Sequence, residues 1–509
     1  MKKTIYTMAM TLAALVAMQS CTDDDSNYGV DQTNIVIKGI DKKYDVISFA
    51  GRHLQINPDI TSSFPDNDLE YKWYMYNPNK GSLGGKDTAV VMSTDRNLDL
   101  EITLLDGKYS FYYEVGSKST GYSQQSDIFE VTSASILSKG FYVLKENSQG
   151  DTDIDLYSTA ENTLYADLLA TRSTGALKGK PRSLDIIPYL CYVNPDDGEN
   201  AGGTCLSITT EADKVKWYRI LDMTPIKDET NCTYDNKTDR KPYRTVYGDW
   251  SIYYFAGDGV YSAYNYSIMP SIGAFGTFGD TGSSIHIACA PSTMHCMVYW
   301  NEATKKFSFV DYNGSYYPTT DSDYLPLGSY NLKCLKALAT YAGGETCCFL
   351  MCDPTNSNSR QLYFFTVGYG GAVLGEVRDI DPSSHAGKAE LIAVNGQQAT
   401  IMYCVDNNRL YAYDLGGHNA ERELPLQGIP ANEQITYIAN RWFNAGDTWD
   451  YLFIGTQSGD TYKVYMYEMV GGEPVGQPVK TISGKGKLRK VDYADPEIIA
   501  PDITPILDD

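Results

Sequence analysis

The feature that most constrains the fold is a two-strand unit that recurs after Ser133. Each unit is an apolar run, a polar turn and a Tyr- or Phe-rich run, as in FYVLKENSQGDTDIDLYS or IMYCVDNNRLYAYDL. Seven such units begin at Phe141, Cys205, Trp250, Cys296, Cys347, Ile401 and Asp450, at intervals of 64, 45, 46, 51, 54 and 49 residues. A hairpin returning at roughly 50 residues matches the length of one four-stranded propeller blade. A row of sandwiches would instead repeat at about 100 residues. The spacing therefore predicts a β-propeller of about seven blades over residues 138–495. Open sheet edges are a liability, so the strands near Lys480 to Asp492 are expected to close the ring beside the first hairpin.

Residues 34–133 have a different texture. Short alternating runs (NIVIKGI, RHLQINP, LEYKWYMYN, LDLEITL, GKYSFYYEV and SDIFEVTS) follow one another at about 10 to 20 residues, which suits one β-sandwich. Trp73 stands in the third run, where a core Trp is expected. Tyr109, Phe111 and Tyr113 alternate with Ser110 and Tyr112, the two-residue period of a strand. Leu105 to Tyr109 is similar to a tyrosine corner opening the penultimate strand. No helical segment stands out, so the fold class is all-β: an immunoglobulin- or PKD-like sandwich, then a propeller. Residues 496–509 read as an acidic tail.

The N-terminus gives an address. Lys2 and Lys3 precede an apolar stretch from Ile5 to Met18, then Cys21 and the acidic Asp23, Asp24 and Asp25. The stretch is too short and wrongly flanked for a membrane-spanning helix and reads as a removable signal over residues 1–20. It resembles a bacterial lipoprotein signal, in which Cys21 becomes the acylated first residue and residues 21–33 a flexible tether. The acidic residues after it resemble a surface-export tag of Bacteroidetes lipoproteins. No other stretch is apolar enough to span a bilayer, so membrane contact is expected only through the lipid anchor. A net charge of −22 opposes binding to nucleic acid or anionic lipid. Cys289, Cys296, Cys347, Cys348, Cys352 and Cys404 lie in apolar runs and read as small buried hydrophobes. Cys191, Cys205 and Cys232, in loop-rich sequence, are the candidates for a disulfide.

The order CTDDDSNYG, YKWYMYN, LLDGKYSFYYEV and SKGFYVLKENSQGDTDIDLYS resembles the PKD-like family of Bacteroidetes lipoproteins over about residues 21 to 160. Gly140 to Ser158 is its most specific part. The resemblance implies an outer-membrane lipoprotein facing the exterior, partnered with a SusC/SusD-type importer. It carries no catalytic motif to transfer.

Chemical motifs are sparse. His286, Cys289, His295 and Cys296 have no standard zinc spacing, and no metal or cofactor is expected. There is no HExxH, no G-x-S-x-G and no phosphate-binding glycine loop. Asp151, Asp153 and Asp155 are expected in a solvated turn, because the calcium-loop glycine and glutamate are missing. The candidate ligand contacts are aromatic: Trp442 and Trp449 around a Gly turn, Tyr316 and Tyr317 in DYNGSYYP, and Phe275 and Phe278 in a Gly/Phe loop. Thr88, in Asp87-Thr88-Ala89, resembles an O-glycosylation acceptor. The expected function is binding of a glycan or peptide nutrient, or docking on the importer, without catalysis. A propeller glycoside hydrolase or lyase, and a scaffold or adhesin, are the alternatives.

Overall fold

The computed structural model describes residues 34–496, except 50, 77–88, 105–106, 236, 248–250, 265–270, 279–284, 290–296, 311–315, 319–330, 341–345, 369–370, 396–398, 417–418 and 446. Cys21, Thr88, the tether and nearly all of the acidic tail lie outside these residues. Two compact units divide the chain, Met1–Ala134 and Ser135–Asp509.

The first unit is a sandwich. One sheet runs Lys43–Ser48, Phe129–Ser135, Gly107–Ser117, Leu69–Tyr76, Val90–Ser93, with Ser123–Gln125 added against Gly107–Ser117. Two antiparallel pairs, Ile35–Lys38 with Asp59–Ser62 and His53–Ile56 with Leu98–Glu101, complete it. The two-residue period of Gly107–Ser117 sends Tyr109, Phe111, Tyr113 and Val115 into one core with Trp73, Leu98 and Phe129. Trp73 is fully buried and stacks on Tyr113 at 4.0 Å. Its Nε1 donates to the Asp95 carbonyl at 3.0 Å, and the Tyr113 hydroxyl donates to the Arg96 carbonyl at 2.8 Å. The two largest rings thus pack as hydrophobes while their polar atoms pin one short loop. Tyr109, expected at the corner, is part of the core, and the tie from a strand hydroxyl to that loop comes from Tyr113.

The second unit is a propeller of seven antiparallel blades among the described residues, six of four strands and the last with a short fifth, Glu473–Pro474, paired to Thr461–Val470. Blades 2 to 6 are each built in chain order. They comprise Pro181–Val193 to Thr224–Asp228, Pro242–Tyr247 to Gly276–Phe278, Ile285–Cys289 to Tyr316–Pro318, Lys333–Thr340 to Gly371–Ile380, and Leu391–Val394 to Glu421–Glu423. Blade 7 runs from Gln434–Ala445 through Asp447–Ser458 and Thr461–Val470 to Lys480–Lys485. Blade 1 joins the two ends of the unit. Gly140–Glu146, Thr152–Ser158 and Thr163–Tyr165 are completed by Lys487–Ala494, paired from Gly140↔Ala494 to Glu146↔Lys487. The ring is therefore closed by strand pairing, as the fold requires to remove an edge. Among the described residues, first strands of neighbouring blades contact one another closely at six of the seven junctions, all but that of blades 3 and 4, which makes them the inner strands. In blade 1 the inner strand is Lys487–Ala494.

The seven recurring hairpins are the two central strands of each blade. A central strand has a partner on both sides and a blade against both faces, so it reads as a continuous apolar run; Ser251–Ala256 and Met297–Asn301 are buried at every residue. Local chemistry fits. Asn407 and Asn408, at φ 49° and 62°, form the two-residue turn between paired Asp406 and Arg409. Gly140 holds φ +149°, and a Cβ there would lie 2.3 Å from the Tyr157 carbonyl oxygen, so the SKGFYV motif needs its glycine. Between blades the cores are shared: Phe141 and Val143 of blade 1 pack with Phe443, Phe453 and Met466 of blade 7. Cys191, Cys205 and Cys232 are separate buried thiols rather than a bridge, because each is enclosed as a small core residue.

Candidate functional site

Inner strands converge, so residues distant in sequence meet at the propeller axis. A cavity of about 210 Å³ opens there, lined from blades 1, 2, 5, 6 and 7. Arg182 comes from blade 2, Lys336 from blade 5, Glu390 and Ile392 from blade 6 and its approach, Thr436 and Tyr437 from blade 7, and Arg489 and Lys490 from blade 1. Arg182 is held in place: its guanidinium donates to the Pro242 carbonyl and lies 5.7 Å from the Tyr243 ring centroid. Arg489 is exposed at this site, whereas Lys490 is buried.

Lys490 links the cavity to a buried belt of alternating charges. Its ammonium lies 3.4 Å from Asp185 Oδ1. Arg244 of blade 3 approaches the same oxygen, through Nε at 2.9 Å and a terminal nitrogen at 2.8 Å. Two residues beyond Lys490, Asp492 is buried, and burial pushes its carboxyl up to about 6 against the pull of Lys490 and Arg441. Arg441 donates to the Asn440 carbonyl at 2.9 Å and to the Val491 carbonyl at 3.4 Å. The belt crosses the inner strands of blades 3, 2, 1 and 7 and offsets buried charge with opposite charge.

Of the aromatic candidates whose side chains are described, Trp442, Trp449 and Phe275, none lines the cavity. Phe275 is 1% exposed and packs against Trp217 and Tyr254, so its ring belongs to the core of blades 2 and 3. Trp449 is half-buried, stacked on Tyr451 at 4.8 Å and within 5.7 Å of Phe141, Phe443 and Tyr493. That is packing between blades 7 and 1. Trp442 is half-buried and stands opposite Asp450 in the blade 7 ladder. Phe278, Tyr316 and Tyr317 are on the outer strands of blades 3 and 4, and their side chains lie outside the described residues.

The acidic run GDTDID is not a solvated turn. Asp153 and Asp155 sit on the central strand Thr152–Ser158 and are 1% and 0% exposed. Lys145 reaches Asp155 at 2.5 Å and Asp167 at 2.7 Å, while the Tyr462 hydroxyl of blade 7 donates to Asp155 at 2.6 Å. Burial pushes the Asp155 carboxyl up, and Lys145, Tyr462 and the Asp167 N–H oppose it. The turn reading failed because an acidic alternation on a twice-covered strand looks the same in sequence as one in water. Lys145, breaking an apolar run, was the legible clue. For the axial site the clue was KGKLRK at Lys485 to Lys490, a basic cluster in an acidic chain.

Among the described residues no group of His, Cys, Asp and Glu is arranged to hold a metal ion, and no helix is long and apolar enough to cross a membrane. No curated protein matches the chain. Among solved structures, the chain is similar to Hsv2 of Kluyvelomyces marxianus at 9% identity, covering 68% of this chain and 99% of that one, with a TM-score of 0.36. It is similar to a Bacteroides thetaiotaomicron protein of unknown function at 12% identity, covering 87% and 98%, TM-score 0.30. It is also similar to apo AztD of Citrobacter koseri at 9% identity, covering 84% and 100%, TM-score 0.29. The fold itself rests on the chain's own strand pairing. The family model that matches is that of the PKD-like family, over residues 21–181, which takes in the sandwich and the first three strands of the propeller.

Proposed function

We propose that the chain is an exported surface lipoprotein, anchored through Cys21, whose propeller binds a soluble nutrient ligand in the axial cavity. The observation that carries the site is the convergence of five blades on one pocket. Concave, pre-formed sites of this kind are the default place for a ligand. The sandwich serves as a spacer, and a SusC/SusD-type importer is the proposed partner, on the resemblance of the N-terminal third. Address and anchor rest on the basic-apolar start and Cys21. Cys21→Ala should move the protein from the membrane to the soluble fraction, and retention after a high-salt wash would sink the anchor.

The binding reading is tested by a glycan and peptide panel with purified protein. Thr436 is exposed and lines the cavity. Thr436→Trp should block the pocket, leave the melting curve unchanged and abolish retention of whichever panel member the parent holds. Equal retention by the variant would place the ligand elsewhere. New reducing ends or unsaturated sugars, formed in proportion to protein, would replace the binding reading by the enzyme one.

A further inference from the structure

The sign of the charge at the axis is opposite to that of the molecule. The chain carries 64 acidic and 42 basic residues, yet the cavity lining holds Arg182, Lys336, Arg489 and Lys490 with Glu390 as its acidic member, while Asp213 and Asp185 pair with Arg182 and Lys490 from outside the lining. From these observations, and resting on the axial-cavity reading above, we infer that the ligand group held there is an anion of single-sugar size, a carboxylate in the first place.

The cations come from three blades, so they face a bound group from different sides rather than forming one basic stripe. Their roles differ. Lys490 is tied to Asp185, which fixes the floor of the site. Arg182 is oriented by its bond to the Pro242 carbonyl and lies 3.8 Å from Asp213 on the same nitrogen, which leaves its other terminal nitrogen for an incoming carboxylate. Arg489 makes no ion pair among the described residues and stands at the exposed side, where a cation draws an anion in. Beneath, the buried Arg244 and Arg441 add positive potential that Asp185 and Asp492 offset. At about 210 Å³ the cavity is smaller than sites for drug-sized ligands, which begin at roughly 300 Å³. It takes one anionic group or the end of a chain.

Galacturonate and galactose share a ring and differ in the carboxylate, so they are the probes, with sulfate and a short acidic peptide as further arms. Calorimetry on the full-length protein should show saturable binding of galacturonate, weaker or no binding of galactose, and weakening of the galacturonate signal as salt is raised from about 50 to 500 mM. Lys336→Gln and Arg489→Gln should each reduce affinity about tenfold, the loss of one charge-assisted hydrogen bond. Their melting curves should stay at the parent's. Binding of sulfate or peptide with the same salt and variant dependence supports an anion site of a different source. Equal binding of galactose and galacturonate, unmoved by either variant but lost in Thr436→Trp, overturns the anion inference and leaves the cavity reading standing. Absence of saturable binding by all three anions overturns the inference as well.

Discussion

The sandwich and the propeller solve burial in opposite ways. Among the described residues, no charged side chain of the sandwich is buried; its core is Trp73, Tyr113 and their apolar neighbours. The propeller buries Lys145, Asp155, Asp185, Arg244, Glu433, Lys490 and Asp492, among others. Two sheets pressed face to face need only apolar inner faces. A ring of blades also brings its inner strands together, and there Asp185, Arg244 and Lys490 are buried as opposite charges. Removing one member of such a pair is expensive, because the other stays buried. The sandwich is held by volume, and the propeller by volume plus charge balance.

Opening the ring should be the most damaging change. Truncation after Met469 removes Glu473–Pro474, Lys480–Lys485 and Lys487–Ala494, hence two strands of blade 7 and the inner strand of blade 1. Calorimetry should show the propeller transition lost and the sandwich transition kept. Loss of both would show that the two units are not held independently, and loss of neither that the closing strands do not hold the ring.

Next come single side chains. Trp73→Ala should cost about 3–5 kcal/mol by leaving a cavity, with little dependence on salt or pH. Lys145→Met should cost a similar 3–5 kcal/mol for a different reason, an unneutralised Asp155. Adding Asp155→Asn to Lys145→Met should therefore recover part of the loss. Additivity of the two changes in denaturant unfolding would show that the pair is not coupled.

The smallest effect is in pH. Asp450 is buried, accepts one bond from Asn440 Nδ2 at 2.7 Å, and has no partner for Oδ2 among the described residues. Burial pushes its carboxyl up to about 6. The folded value exceeds the unfolded one, so the folded protein keeps the proton between pH of about 4 and 6. Its contribution is complete below the unfolded value and is lost as pH rises through 6. Asp450→Asn, which mimics the protonated acid, should match the parent near pH 4 and be more stable by roughly 2–3 kcal/mol above pH 7. A constant difference at all pH values would mean that Asp450 does not titrate there.

Sequence alone determined the all-β class, the sandwich with Trp73 at its centre and the hairpin that became the central strands of each blade. These depend on periods of two and of about fifty residues, which local composition records. The same periodicity anticipated closure by the C-terminal strand. The inner strands were harder to read. Gln434–Ala445 and Lys487–Ala494 mix polar and apolar residues because one side meets the axis and the other a blade. The site arises only when the ring closes. Arg182, Lys336 and Lys490 are separated by some 150 residues at each step, and nothing local marks them as neighbours. Trp449 and Phe275 looked like ligand contacts because a loop aromatic and a packing aromatic have the same sequence signature. Asp155 looked solvated for the same reason. Strand order along the chain is written in local patterning, but which side chains share the axis depends on how seven sheets close into a ring.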